Sequence, residues 1–377
     1  MNPALSPILY FRRNGGRTLP TAFVIMLAVV LVASVVSLVR SINLTVFTLY
    51  GYNRYLTGMT PRNSFVVDDA QVKPWRTLPD MGHLYGAHSY QTQLKTTFGK
   101  MVFPIFGLEP AARVEVMQKC GVTLKAGRMP IEGEPEAAIS DDVAQNMGAK
   151  IGDVICGPNL DDSYAPVEIK LVGILHGNVW LGLTSKSFVD ENSPFTWQGW
   201  LAFAKTPDRQ RALDAEIDKI TDKSKARVWT FAVLVHETQS ALSNLYLILN
   251  LVVTIIVAVI SFVCGLLANI YYTQRLPEIA TLSAIGYSRG QLLRRAVGET
   301  FLLCIFGWLL GVGLTIALLS AVRFFILSPR GLLINAVDPS AYLFTLPLPL
   351  VITLFAVVTI GFRLASLDPV SIIERRG

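Results

Sequence analysis

The sequence predicts an α-helical membrane protein whose four transmembrane helices carry a large α+β extracytoplasmic domain inserted between the first and second. Three observations predict it. Apolar runs occur at Leu19–Val39, Leu251–Ile270, Phe301–Leu319 and Leu343–Phe362, and about 20 helical residues are needed to cross a bilayer core. The stretch Tyr50–His236 is nearly neutral, with 20 Lys/Arg against 21 Asp/Glu. The other 190 residues hold 13 Arg, no Lys and 6 acids, and they supply all of the positive balance.

The expected order is a cytoplasmic segment (1–18), the first span (19–49) and the external domain (50–236). A stalk with the second span (237–271), a cytoplasmic hairpin (272–296) and the third span (297–322) follow. An external loop (323–341), the fourth span (342–363) and a cytoplasmic tail (364–377) end the chain. The first run reads as an anchor and not a cleaved signal, because Phe23–Val39 exceeds a usual signal core and no A-x-A site follows it. Arginines in short flanks set orientation. Arg12, Arg13 and Arg17, then Arg275, Arg289, Arg294 and Arg295, then Arg363, Arg375 and Arg376 lie on one side, against Arg40, Arg323 and Arg330 on the other. Both termini and the hairpin are therefore expected in the cytoplasm, with the chain a multi-pass protein of the cell (inner) membrane. The pI of 9.1 is thus a topological signal, and no nucleic-acid partner is called for.

Within the external domain, Val167-Glu-Ile-Lys-Leu171 alternates as a strand does and leads into Val172-Gly-Ile174. Ser140 is placed to cap a short helix over Asp141–Met147, with Asp141 and Asp142 at its positive end. Pro207 suits the first turn of another helix, along which Leu213, Ile217 and Ile220 recur at helical spacing. Strands mixed with a few helices make an α+β domain.

Catalytic and metal chemistry find no foothold. His83, His88, His176 and His236 are scattered and lack an accompanying cysteine or carboxylate cluster, so they read as surface or internally satisfied residues. Asp68-Asp69, Asp141-Asp142 and Asp161-Asp162 read as caps and turns, without an EF-hand pattern. Trp180-Leu-Gly-Leu183 suits the core better than a ligand groove. Cys264 and Cys304 fall inside spans as packing residues. Cys120 and Cys156 share the external domain, where a disulfide remains open.

The segment between the second and third spans is the most defined functional element. Pro277 starts a short helix with Glu278 in its first turn, and Ile279, Leu282 and Ile285 follow at three-residue steps on one side. Gly286 is placed to end it in a left-handed conformation. Tyr287 turns the chain, and Ser288-x-x-Gln291 forms a capping box for the next helix. Glu299, one turn beyond Arg295, can pair with it. Gly286-Tyr-Ser-Arg-Gly290 matches the nucleophile-elbow pattern, but that chemistry needs a preceding strand and a histidine in reach; a helix cap is the better reading. On physics alone the short helix could lie in lipid headgroups, be a tidy loop, or dock in a partner's groove.

Gln274-Arg-Leu-Pro-Glu-Ile-Ala-Thr-Leu-Ser-Ala-Ile-Gly-Tyr-Ser-Arg-Gly-Gln-Leu292 resembles the R-R-x-E-I-x-x-L-x-A-x-G-A-s-x-x-x-I segment of FtsX-like permeases, and the likeness continues through Glu299 into Gly307-Trp-Leu-Leu-Gly311. Asp368-Pro-Val-Ser-Ile-Ile-Glu-Arg-Arg376 resembles the family's P-x-x-x-[LI] tail. Gly127-Arg-Met-Pro, Glu134–Ser140, Met147–Val154 and Val172-Gly-Ile174 are similar to the MacB-type periplasmic core domain. Ala280–Tyr287 is similar to the DevC-type branch. Leu276-Pro277 departs from the pattern by replacing the basic residue before the glutamate.

The resemblance implies that Pro277, Glu278, Ile279, Leu282, Ile285, Gly286 and Tyr287 form a coupling helix contacting a separate ABC ATPase subunit, where ATP binds. It implies a dimer, as a homodimer or with a paralogous permease chain, and an accessory periplasmic adaptor as a further partner beside membrane lipid. The chain contains no G-x-x-x-x-G-K-[ST] phosphate loop, so a P-loop ATPase site is excluded and no cofactor is expected. Leu251–Ile270 holds no ionisable residue, unlike a proton or ion path. Ser261-x-x-x-Gly265 and Gly307-x-x-x-Gly311 offer smooth faces for helix packing. Helical pattern from about Ser240 would project a stalk roughly 15 Å beyond the second span. These features favour mechanotransmission, and the likeness to MacB-type permeases implies that it exports or extracts a hydrophobic or peptide-like substrate. The alternative is a non-transporting signal transmitter controlling an external partner such as a cell-wall hydrolase.

Overall fold

The computed structural model describes residues 15–192, 198–273 and 276–365. The chain divides into two compact units, residues 1–40 with 245–322 and 335–377, and residues 41–244 with 323–334. Arg12, Arg13, Arg275 and the Asp368–Arg376 tail lie outside the described residues.

In chain order, the elements begin with α1 (Gly15–Leu49), β1 (Thr57–Pro61), α2 (Asp69–Arg76), β2 (Met81–Thr96), β3 (Gly99–Leu108) and α3 (Pro110–Cys120). Next come β4 (Thr123–Gly127), β5 (Glu136–Ser140), α4 (Asp141–Met147), β6 (Val154–Cys156), β7 (Ile169–His176) and β8 (Gly182–Ser185). Then follow α5 (Lys186–Asn192), β9 (Gly199–Ala204), α6 (Gln210–Ile220), β10 (Ala226–Trp229) and α7 (Phe231–Ala241). The last elements are α8 (Ser243–Thr273), α9 (Leu276–Ala284), α10 (Arg289–Val322), α11 (Pro339–Leu343) and α12 (Pro347–Ala365).

The sheet-rich unit is organised by β2. Its first half, Met81–Ala87, pairs with β9, and its second half, His88–Thr96, pairs with β3. One long strand therefore joins two sheet regions, giving the order β10-β1-β9-β2-β3-β8-β5-β7-β4 with β6 beside β7. Each region buries its own apolar face, as an amphipathic sheet must. Trp75, Met59, Leu213 and Ile217 pack under the β1–β9 region, and Phe103, Ile105, Leu171 and Trp180 under the β3–β7 region. Trp75 is fully buried and donates its indole N–H to Thr221 Oγ1 at 3.0 Å, which removes the cost of burying that polar atom. Gly127 has φ +74°, and a Cβ there would lie 2.1 Å from the Val172 carbonyl oxygen, so the β4–β7 crossing demands glycine.

Several local expectations change in detail. Helix α4 spans Asp141–Met147, but Ser140 does not cap it with its side chain. Its Oγ instead accepts from Leu181 N at 2.8 Å and donates towards the Val179 and Leu181 carbonyls, tying β5 to the segment before β8. Pro207 opens a 3₁₀ turn, and α6 begins at Gln210 with Leu213 and Ile217 buried and Ile220 exposed. Cys120 and Cys156 are free thiols in separate core clusters; burial pushes each thiol up to about 12. Trp180, Leu181 and Leu183 are core residues. Among the described residues no metal-holding cluster occurs. His83 contacts Glu115 at 2.9 Å and His176 contacts Asp141 at 2.7 Å.

Four helices are long and apolar enough to cross a membrane: Thr18–Leu49, Ser243–Val263, Arg289–Arg330 and Pro339–Phe362. At 1.5 Å per residue, the 31 residues of α8 extend about 46 Å, well beyond the roughly 30 Å hydrocarbon core. Helical structure before it starts at Phe231, earlier than the pattern near Ser240 predicts, and breaks once at Leu242. In the helical unit, a Cβ on Gly307 would meet Ala22 O and Ile25 at 3.0 Å, and one on Gly311 would meet Val29 Cβ at 2.6 Å. Both glycines thus seat α10 against α1 at backbone distance. Gly265 meets the Phe355 ring of α12 in the same way, and Ser261 is buried one turn before it. Arg40 pairs with Asp338 at 3.6 Å and lies over the Phe344 ring.

Replacing Trp75 by Ala should destabilise the sheet-rich unit by about 3–5 kcal/mol, through the cavity it leaves. Thermal unfolding of the purified full chain should show a lowered transition, and an unchanged one would contradict this core assignment.

Candidate functional site

The hairpin between the second and third spans is built by two complementary caps. Helix α9 ends at Ala284, where Gly286 takes φ +104°. Gly286 N donates to Ser283 O at 3.1 Å and Tyr287 N to Leu282 O at 3.2 Å, the paired bonds of a Schellman ending. The next helix begins with a reciprocal capping box. Ser288 N donates to Gln291 Oε1 at 3.1 Å, and Gln291 N donates to Ser288 Oγ at 3.4 Å. Orphan backbone groups at both helix ends are thereby satisfied. This also decides the fate of Ser288: it follows a helix and a turn, and its hydroxyl serves the backbone.

Burial separates the residues of the hairpin. Leu282 and Tyr287, the apolar pair that closes a Schellman ending, pack on Leu292, Ala296, Leu293 and Ile360. Leu282 therefore faces inward, holding α9 to α10 and α12, and does not share an outward face with Ile285. Ile285 is 71% exposed, and Glu278 and Gly286 are exposed too. The side chains of Pro277 and Ile279 lie outside the described residues. Further along α10, Arg295 Nε donates to Glu299 Oε1 at 3.0 Å, with Glu299 2% exposed. That charge-assisted bond offsets part of the cost of burying the carboxylate.

The arrangement is a short, capped, lever-shaped helix. Its root is an apolar cluster on two spanning helices, and its exposed end presents one acid and one large apolar side chain. Among the described residues it holds no cluster of metal-ligating groups. Sequence periodicity alone missed the inward turn of Leu282; the signal was present in the Schellman pattern, whose apolar contact joins Leu282 to Tyr287.

Replacing Gly286 by Val should cost about 1–2 kcal/mol locally, because a β-branched residue resists positive φ. Hydrogen exchange at Ile285–Leu292 should accelerate several-fold in that variant while exchange within α12 stays unchanged; equal rates throughout would show that the cap does not hold the lever.

Residues 244–369 match the family model of the FtsX-like permease C-terminal domain. No curated protein matches the sequence. Among solved structures, the periplasmic region of MacB from Actinobacillus actinomycetemcomitans is similar at 9% identity and a TM-score of 0.29, over 49% of this chain and 92% of that one. The extracellular domain of the ABC-type transporter YknZ from Gram-positive bacteria is similar at 10% identity and a TM-score of 0.30, over 46% of this chain and 100% of that one. The matched family segment holds the capped hairpin and the three helices α8, α10 and α12 around it, so this part of the chain is similar to the C-terminal domain of FtsX-like permeases.

Proposed function

We propose that this chain couples ATP hydrolysis on a separate ATPase subunit to movement of its sheet-rich domain, exporting or extracting a hydrophobic or peptide-like substrate. The observation that carries this reading is the lever itself: α9 is capped at its far end, rooted through Leu282 and Tyr287, and exposed at Glu278 and Ile285. Such an element is suited to transmit displacement, since its C-terminal end has satisfied backbone bonds and its root is packed. Glu278 and Ile285 are the proposed contact residues for the ATPase, and Leu282 is a positioning residue behind them. In this reading the chain works with a second permease chain, its termini and hairpin are cytoplasmic, and it lies in the cell membrane. The absence of ionisable residues from Leu251–Ile270 supports mechanical work over conduction through a polar channel.

The test is a tagged pull-down in mild detergent from native membranes, with mass spectrometry and ATPase assay. Wild-type chain should recover an ABC ATPase at near-equal stoichiometry. The double variant Glu278→Lys, Ile285→Asp should insert normally yet recover at least about tenfold less, as expected when contacts at the centre of a small interface are reversed in charge and polarity. Leu282→Ala should instead lower thermal stability, by about 2 kcal/mol or more for a packed leucine. Full ATPase recovery by the double variant would remove the lever from the coupling role.

A further inference from the structure

Past the end of α10 the chain runs straight into a π-helical turn, Arg323–Leu327, and then a 3₁₀ turn, Ser328–Arg330. Phe324 and Phe325 are 71% and 74% exposed there, with their rings edge to face at 5.1 Å between centroids. Ile326 beside them is exposed as well. A contiguous apolar patch of this kind marks an interaction surface.

The other side of the same segment is fastened to the sheet-rich unit. Leu327 and Ile334 are buried, and Leu333 packs against the core of the β3–β7 region. Asn146 of α4 donates through Nδ2 to the carbonyls of Arg330 and Gly331 at 3.2 and 3.4 Å. Gly331 has φ +60°, and a Cβ on it would lie 2.6 Å from the Asp142 carbonyl oxygen. The aromatic pair therefore belongs to a turn held from behind, and its rings are not free to fold back into the domain.

Continuity with the span says what covers the patch. Between Glu299 and Arg323 the 23 residues Thr300–Val322 carry no charge, and as a helix they extend about 34 Å, close to the roughly 30 Å hydrocarbon core. Arg323 thus falls at the edge of the hydrocarbon. Phe324–Ile326 follow within the headgroup layer, which adds about 5–7 Å on each face. Arg323 and Arg330 are exposed and make no ion pair among the described residues, so both guanidinium groups are open to phosphate oxygens.

We propose that the turn 323–330 is a lipid-surface anchor for the sheet-rich unit. Phe324, Phe325 and Ile326 enter the glycerol–acyl boundary of the leaflet from which α10 emerges, and Arg323 and Arg330 take phospholipid phosphates. Apolar side chains beside basic ones are the usual make-up of an element lying in that layer. Through Asn146 and Leu333 the anchor holds α4 and the β3–β7 region at the lipid surface. It requires that α10 cross the membrane, but neither the ATPase nor the lever.

The test uses the full chain in nanodiscs of phosphatidylethanolamine and phosphatidylglycerol, with a nitroxide on Phe324→Cys or Phe325→Cys. Spin relaxation by oxygen, which enters lipid, is compared with relaxation by a water-soluble nickel chelate. Leu314→Cys in the span and Tyr164→Cys, 64% exposed on the sheet-rich unit, are the lipid and water references. The unsubstituted chain, whose Cys120, Cys156 and Cys304 are buried, is the blank. Both anchor positions should show an oxygen-to-nickel ratio several-fold above Tyr164→Cys and below Leu314→Cys. A water-like ratio at both, with Leu314→Cys still lipid-like, would overturn the anchor alone. Protection from both relaxants would mean a protein cover and would overturn it too. A water-like Leu314→Cys would remove the span and the anchor together. Each cysteine replaces a side chain that is mostly exposed, so the readout does not depend on a disturbed core.

Discussion

The helical unit of this chain follows from a medium that cannot hydrogen-bond. In hydrocarbon each backbone N–H and C=O must find its partner within the segment, which leaves the helix as the form for an isolated span. Helices settle their interiors and leave unsatisfied groups at their ends. Structure with consequences therefore gathers at span ends: the paired caps at Gly286 and Ser288, the Arg295–Glu299 pair, and Arg40 held by Asp338. Arg40 and Asp338 nearly cancel, so the arginine excess on the other flanks is purer than a bare count of Arg40, Arg323 and Arg330 suggests.

Between lipid-exposed helices there is no hydrophobic gain, and contact must come from fit. Gly307 and Gly311 provide it for α10 against α1, and Gly265 for α8 against the Phe355 ring. Leu282 and Tyr287 join the hairpin to this packed set through Leu292, Ala296 and Ile360.

The sheet-rich unit solves a different problem, since it must keep separate apolar cores in one domain. Strand β2 does this by pairing with β9 over its first half and β3 over its second. The segment 323–334 is tied into the same unit: Asn146 Nδ2 donates to the Lys95 and Arg330 carbonyls at 2.8 and 3.2 Å, and Gly331 lies too close to Asn146 for any side chain. A loop that reads in sequence as a simple external connection is thus part of the domain.

The sequence by itself determined the four spans, the inserted α+β domain, the capped hairpin and the Arg295–Glu299 pair. Each rests on local physics, namely run length, charge, capping chemistry and one-turn spacing. Tertiary structure alone decided the rest. Ile279, Leu282 and Ile285 share a spacing, yet only packing against Ile360 turned Leu282 inward and left Ile285 in solvent. Ser140 has the residue type of a cap, but the neighbouring Leu181 backbone competed for its hydroxyl. Cys120 and Cys156 went to different cores because β-strand order, which depends on contacts far apart in sequence, assigned their neighbours.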